Sequence, residues 1–284
     1  MNFQLGLIGY PLGHSLSPKI HVAALSACGL QGTYSLFPIP PEDKQGLKDL
    51  LARVRTGEIT GLNVTIPHKQ NVIELMDELT PTAKAIGAVN TIYLHEGKLI
   101  GDNTDTSGFL SDLKRFLTLE CDSLLSHQQE LAPALQKKAL ILGAGGSARA
   151  VVYALLYDGW DVTIAARRIE QAQQLSQSFG KYDLRLSTFD LQLLTFNLIV
   201  NTTPLGMTPN IEDSPLPENM VLSPKTVIYD LIYNPRETKL VKDARAQGLS
   251  ATTGLGMLIE QAALAFEKWT GAKADRDAMQ KAVA

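Results

Sequence analysis

The chain has 284 residues, of which 45% are apolar and 19% charged, with a formal net charge of −3; this is globular composition and excludes collagen-like and disordered classes. Lys and Arg are scattered along the chain, which argues against a nucleic-acid partner, because such binding needs a concentrated basic surface. No apolar run approaches the roughly 18 residues of a membrane span, Met1 to Tyr10 lacks the charged start of a secretory signal, and the distant Cys28 and Cys121 fit no metal or redox spacing, so a soluble cytoplasmic protein with free thiols is expected.

Strand-length apolar segments alternate with helix-period segments, which predicts an α/β fold with parallel sheets, and the length favours two domains. In chain order the pattern predicts a strand at Gln4 to Ile8, a helix from Pro18 to Cys28, a strand at Thr33 to Phe37, a helix from Glu42 to Arg55 and a strand at Gly61 to Ile66. A helix from His68 to Leu79, a hairpin around Ala88 to Ile100 and a helix from Thr106 to Leu117 follow. Residues 118–136 contain Glu120, Asp122 and Glu130, no Lys or Arg and no period, and read as a linker or insertion. Beyond it come strands at Ala139 to Leu142, Asp161 to Ala166, Tyr182 to Leu186, Leu198 to Asn201 and Val227 to Leu231, with helices to Tyr157 and from Ile169 to Phe179. The last helix, Leu255 to Trp269, carries a broad apolar face (Leu258, Ala262, Ala265, Phe266, Trp269) that suits packing back on the first domain. The expected domains are therefore 1–117 joined by 255–284, and 137–254.

Between the strand ending at Leu142 and the next helix lies Gly143-Ala144-Gly145-Gly146-Ser147-Ala148, a G-x-G-x-x-G/A turn in strand-to-helix context. Gly143 permits the turn, Gly145 lets the backbone approach a pyrophosphate, Ala148 keeps the helix near the sheet, and the anion would sit on free amides at the helix start. A merely tight turn is the plain alternative. After the second strand stand Arg167 and Arg168, with no acid before Glu170, which favours NADP over NAD because arginine pairs with the additional phosphate. Two solvated arginines at a helix start are the plain alternative.

Two further positions carry candidate chemistry. Pro67 suits a helix's first position, which would put Lys69 in the first helical turn, where the dipole disfavours a cation. Asp105 precedes an apolar-striped helix and reads equally as an N-cap or as a functional carboxylate. Ser17, before Pro18, reads by itself as an N-cap. The five histidines have no metal-site spacing, and no metal is expected.

These motifs occur in order with GYPLGHSLSP (9–18), NVTIPHK (63–69), GAVNT (87–91), NTD (103–105), NTTPLGM (201–207) and GLGMLIEQ (254–261), and over nearly its whole length the chain resembles the shikimate dehydrogenases. The resemblance implies a substrate domain and a Rossmann domain facing each other across a cleft that opens and closes. It also implies NADPH-dependent reduction of 3-dehydroshikimate to shikimate on the way to aromatic amino acids; the sequence leaves a monomer and a homodimer both open. Residue by residue, it implies Lys69 and Asp105 as the catalytic pair and Ser15 and Ser17 on the substrate carboxylate. Asn63, Thr65, Asn90, Tyr233 and Gln261 fall on ring hydroxyls or carboxylate, and Thr203, Met207, Gly254 and Met257 fall along the cofactor; ordinary packing is the alternative for each. Gly254 is expected to admit the nicotinamide to the backbone. Thr253 stands where the family often has Asp, and Ala166-Arg167-Arg168 replaces the usual Asn-Arg-Thr. An NAD-using quinate/shikimate dehydrogenase, a non-catalytic sensor on the same fold and a folate-linked dehydrogenase are the rival readings; Ser15, Ser17 and Arg167 oppose the first, and retention of Lys69 and Asp105 opposes the second.

Overall fold

A computed structural model describes residues 2–125, 137–180, 184–187, 196–218 and 220–284. The chain forms two compact units, Met1–Gly108 with Leu258–Ala284, and Phe109–Met257.

The first unit contains β1 (Asn2–Gly9), α1 (Ser17–Ala27), β2 (Gln31–Pro38), α2 (Lys44–Arg55), β3 (Gly61–Val64), β4 (Glu78–Leu79), α3 (Pro81–Ile86), β5 (Thr91–His95), β6 (Lys98–Asp102) and the start of α4 (Asp105–Leu125). Its sheet runs β2-β1-β3-β5-β6-β4. β1 is parallel to β2 and β3, whereas β5 is antiparallel to β3 and β6. The sheet is thus mixed: β5 and β6 form the hairpin expected around Ala88 to Ile100, joined by a tight turn with positive φ at Glu96 (50°) and Gly97 (76°), too short for a crossover. α2 shows how the local sequence sets an element. The Asp43 carboxylate accepts from the Gly46 amide at its start, and Leu47, Leu50, Leu51 and Val54 recur at helical spacing against Ile8, Leu62, Val89, Ile92 and Leu99.

The expected helix from His68 to Leu79 does not form. Residues 66–72 are turns, followed by a 3-10 segment at Ile73–Leu75 and then β4. The Lys69 carbonyl, which a helix would offer to Ile73, accepts from the Val89 amide at 2.8 Å, while the Ile73 amide donates to Gln70 at 3.1 Å. Lys69 therefore does not lie in the first turn of a helix, and the local dipole argument made for it from Pro67 does not apply. Pro67 follows a cis peptide bond rather than opening a helix.

The second unit contains β7 (Lys138–Leu142), α5 (Gly146–Tyr157), β8 (Asp161–Ala165), α6 (Ile169–Ser178), β9 (Arg185–Ser187), β10 (Leu198–Asn201), β11 (Val227–Asp230), α7 (Lys239–Ala246), β12 (Ala251–Thr253) and the start of α8 (Leu255–Thr270). Its sheet runs β12-β11-β10-β7-β8-β9 and is parallel throughout. That is the doubly wound dinucleotide-binding order, with its switch point between β7 and β10. The unit begins earlier than expected: Phe109 and Leu113 of α4, and Met257 of α8, belong to its core beside Val151, Leu155 and Tyr229. The expected linker at 118–136 starts as helix, since α4 continues to Leu125. Its remainder, like Tyr182 and Asp183 of an expected strand, lies outside the described residues. Cys28 is a free thiol, and the Cys121 side chain lies outside the described residues.

From Leu258 onward α8 belongs to the first unit, which α9 (Arg276–Lys281) completes. The Trp269 indole donates to the Ile92 carbonyl at 3.1 Å, and a Cβ at Gly61 would lie 2.6 Å from its Cγ, so a strand glycine makes room for the ring. His21 of α1 stacks on Tyr34 (4.5 Å between centroids, 3° between planes) and tilts against Trp269. Neither ring nitrogen has a hydrogen-bond partner among the described residues. Burial, offset only in part by the nearby Asn63, lowers the His21 pKa to about 3. The unfolded chain takes up a proton near 6.5 that the fold refuses, so stability falls as pH drops below about 6.5 and continues to fall until about 3. From pH 7 to 5 the parent is expected to lose about 2 kcal/mol more than His21→Phe, read by urea unfolding at both pH values. The comparison with the variant isolates this effect, because Asp230, discussed below, works in the opposite sense. Equal losses in the two proteins would contradict it.

Candidate active site

In the first unit, the turn after β3 and the start of α4 bring together Lys69 and Asp105, 36 residues apart in sequence. Lys69 Nζ lies 2.7 Å from Asp105 Oδ2, with side-chain exposures of 12% and 7%. The other oxygen, Asp105 Oδ1, accepts from Asn90 Nδ2 at 2.8 Å. Asp105 is the first residue of α4, and both of its oxygens are engaged by side chains from elsewhere in the chain, so it is not a simple N-cap. Asn90 organises the corner. Its Oδ1 accepts from the Thr104 amide (2.8 Å) and the Thr91 hydroxyl (2.9 Å), and Thr104 Oγ1 (3.0 Å) and Gln261 Oε1 (3.4 Å) share the remaining reach of its Nδ2, which has two protons for three acceptors. Asn103 donates to the Ala88 carbonyl and accepts from the Asp105 amide, clamping the start of α4. Sequence reasoning passed over Asn103 and Thr104; their signal was the run of side chains that bond short-range to backbone immediately before a helix.

Asn63, on β3, accepts from the Tyr34 hydroxyl at 2.9 Å and donates to the Asn90 carbonyl at 3.2 Å. Thr65 follows β3, its amide bonded to the Ile8 carbonyl. Gln261, on α8, reaches Asn90 from the other side while its own amide group donates to Leu258. Gly108 makes that approach possible, since a Cβ there would stand 2.8 Å from the Gln261 nitrogen. Ser17 is inside α1 rather than at its cap; the cap position is Leu16, and the Ser17 amide is satisfied by Ser15 Oγ at 3.3 Å. Its hydroxyl is thereby released from the role the pattern assigns it. Tyr233 belongs to the second unit. Burial raises its pKa further above the ordinary phenol range.

The second unit's turn runs directly from β7 into the start of α5. Gly143 has φ +108°, and a Cβ there would lie 2.7 Å from Thr202 Oγ1 and 3.0 Å from Thr203 Cγ2. Gly145 occupies the cap position of α5 with open space where a Cβ would point. Ala144, Gly146 and Ser147 are half-buried and Ala148 is buried against the sheet. The first amides of α5 have no intrahelical acceptor, the requirement for binding an anion there. Arg167 and Arg168 are exposed beyond β8, Arg168 at the cap of α6. Met207 is exposed and Met257 buried in the core. The Thr203 hydroxyl is engaged locally, donating to Asn201 Oδ1 and accepting from the Leu205 amide. Behind it Asn201 donates to Asp230, a residue the sequence reading did not single out. Burial pushes the Asp230 pKa up to about 6, opposed by hydrogen bonds from the Thr238 hydroxyl, the Ile232 amide and Asn201. Gly254 is also required by packing: a Cβ there would lie 2.6 Å from the carbonyl carbon of Leu231 and 2.9 Å from its Cα.

Three family models match the chain: the shikimate dehydrogenase substrate binding domain over residues 7–92, shikimate/quinate 5-dehydrogenase over 126–244 and the shikimate 5'-dehydrogenase C-terminal domain over 254–284. The shikimate dehydrogenase (NADP(+)) of Salinibacter ruber is 43% identical over 287 residues, covering 98% of this chain and 94% of the relative. Among solved structures, shikimate 5-dehydrogenase from Thermus thermophilus in complex with NADP(H) and shikimate matches with a TM-score of 0.84 at 36% identity, covering 99% and 98% of the two chains. Quinate dehydrogenase from Corynebacterium glutamicum in complex with NAD matches with a TM-score of 0.86 at 30% identity, covering 100% and 99%. Backbone similarity therefore does not separate the two substrates, and the side chains have to.

Proposed function

The chain belongs to the shikimate dehydrogenase family, and on that premise we propose that it catalyses the reversible, NADP-dependent reduction of 3-dehydroshikimate to shikimate. The observation that carries this reading is the shielded Lys69–Asp105 pair, 2.7 Å apart, in the unit matched by the substrate-binding family model. The first unit would hold the substrate, with Ser15 and Ser17 as hydroxyl donors to its carboxylate and Asn63, Thr65, Asn90 and Gln261 toward its ring hydroxyls. The second would hold NADP through the turn Gly143 to Ala148, with Arg167 and Arg168 toward the additional phosphate and Met207 and Met257 as further contacts. A cytoplasmic location belongs to the same proposal; no helix among the described residues is long and apolar enough to cross a membrane.

NADPH, when bound, supplies a hydride to the C3 carbonyl carbon of the substrate. Lys69 is placed to do the rest. An ammonium has three N–H donors, and one of them is directed at Asp105 Oδ2, leaving the others for the developing C3 oxyanion, which Lys69 Nζ stabilises and then protonates. Asp105, held by Lys69 on one oxygen and by Asn90 on the other, fixes where Nζ stands. In the oxidative direction Lys69, deprotonated, takes the hydroxyl proton back.

The test is oxidation of shikimate and quinate, each with NADP and NAD, followed through the reduced nicotinamide. Shikimate with NADP is expected to give the highest kcat/KM; a higher value for quinate with NAD would overturn the reading. In the same assay Arg167→Ala is expected to raise the KM for NADP about tenfold, the scale of one charge-assisted hydrogen bond, and to leave that for NAD nearly unchanged. Equal losses for both cofactors would remove Arg167 from phosphate recognition.

A further inference from the structure

Asn63 has an amide whose two ends differ chemically but not in shape, so something other than packing must decide which end faces a ligand. The carbonyl end, Oδ1, accepts from the Tyr34 hydroxyl of β2 at 2.9 Å. The Nδ2 end donates one proton to the Asn90 carbonyl at 3.2 Å, which leaves one N–H. Tyr34 is itself held in plane by His21, stacked at 4.5 Å, and both rings are buried. The Asn90 carbonyl is also fixed, because it accepts from the Val64 amide of β3 at 2.8 Å. A flipped amide would set Nδ2 against the Tyr34 hydroxyl and Oδ1 against the Asn90 carbonyl, replacing a sound hydrogen bond with two oxygens in contact.

We propose that Tyr34 is a positioning residue for the substrate site: by donating to Asn63 Oδ1 it locks that amide so that an N–H, not a carbonyl, faces the ligand, and the site thereby selects an acceptor oxygen on a polyhydroxylated acid. The inference rests on the reading of Asn63 as a substrate contact. His21 supports Tyr34 through ring stacking and has no direct role at the ligand.

A double-mutant cycle in steady-state kinetics with shikimate and NADP tests it. Tyr34→Phe removes one oxygen and keeps the stack on His21; the KM for shikimate is expected to rise about five- to tenfold, with kcat and the KM for NADP within about twofold of the parent. Asn63→Ala is expected to raise the KM for shikimate at least as much. The double variant should match Asn63→Ala, because Tyr34 has nothing left to orient. Effects that multiply in the double variant, or a fall in kcat with KM unchanged, would overturn the positioning role. An unchanged KM in Asn63→Ala would overturn the substrate role of Asn63 and this inference with it, an outcome distinct from normal Asn63 behaviour with a silent Tyr34→Phe, which overturns the inference alone. If Tyr34→Phe does not fold, the parent answers directly by NMR. Of the two Asn63 Nδ2 protons, identified by their loss in Asn63→Ala, shikimate is expected to shift one strongly and the other little, and movement of neither would overturn the proposal.

Discussion

Lys69→Ala is expected to lower kcat for shikimate oxidation about a thousandfold, within the 10²–10⁴ range typical of a positioned proton-transfer group, while the KM for NADP stays within about twofold. The substitution leaves the local backbone in place, because what Lys69 contributes to the fold is its carbonyl, bonded to the Val89 amide. It does leave Asp105, only 5% exposed, with Asn90 as its remaining side-chain partner. Removing one member of a shielded ion pair costs up to about 3 kcal/mol, so the variant should also melt earlier. Activity and stability then need separating. Lys69→Met/Asp105→Asn removes both charges with little change in volume, and is expected to recover most of the melting temperature and none of the turnover. If kcat recovered together with the melting temperature, Lys69 would be a structural cation, and the proton would have to come from another group.

How much of this site could be read from the residues alone depends on how local each part is. The turn at Gly143 was legible because strand, glycines and helix start are contiguous, and Gly143 answers to its own φ and to the approach of Thr202 and Thr203. Lys69 and Asp105 could be singled out one at a time, but nothing in their spacing joins them. The joining is done just before β5, where Val89 bonds the Lys69 carbonyl and Asn90 contacts Asp105, Thr104 and Gln261, residues distant from it in sequence. The expected helix after Pro67 failed for the same reason: helical periodicity is a local signal, and the Val89 amide is a tertiary partner that takes the Lys69 carbonyl out of the ladder. Ser17 shows the reverse. It has the right residue type for a cap, but Ser15 two residues earlier satisfies its amide and the helix starts one residue sooner. The division at Gly108 and Phe109 was hidden because one helix serves both units, and burial, not periodicity, decides where each residue belongs.

Gly254→Ala separates the two accounts of that glycine, one from resemblance and one from packing. If Gly254 exists to admit the nicotinamide, a methyl there would raise the KM for NADP and leave the apoprotein's stability unchanged. The coordinates argue otherwise. The added Cβ would meet the backbone of Leu231, at 2.6 Å from its carbonyl carbon and 2.9 Å from its Cα, and no rotamer change relieves a clash with main chain. Leu231 has little freedom to move, since its amide donates to the Asn201 carbonyl at 3.0 Å and the Gly254 amide donates to the Ile232 carbonyl at 3.1 Å. Overpacking against fixed atoms costs about 3 kcal/mol, which in a chain of this size lowers the melting temperature by about 6–12 °C. The apoprotein is therefore expected to melt in that lowered range before any cofactor is added. Because Leu231 follows β11 and its partner Asn201 ends β10, the strain would fall at the carboxyl ends of two strands beside the switch point, and a weaker hold on NADP would follow as a second effect. Normal melting with impaired NADP affinity would restore the cofactor account and remove the packing one.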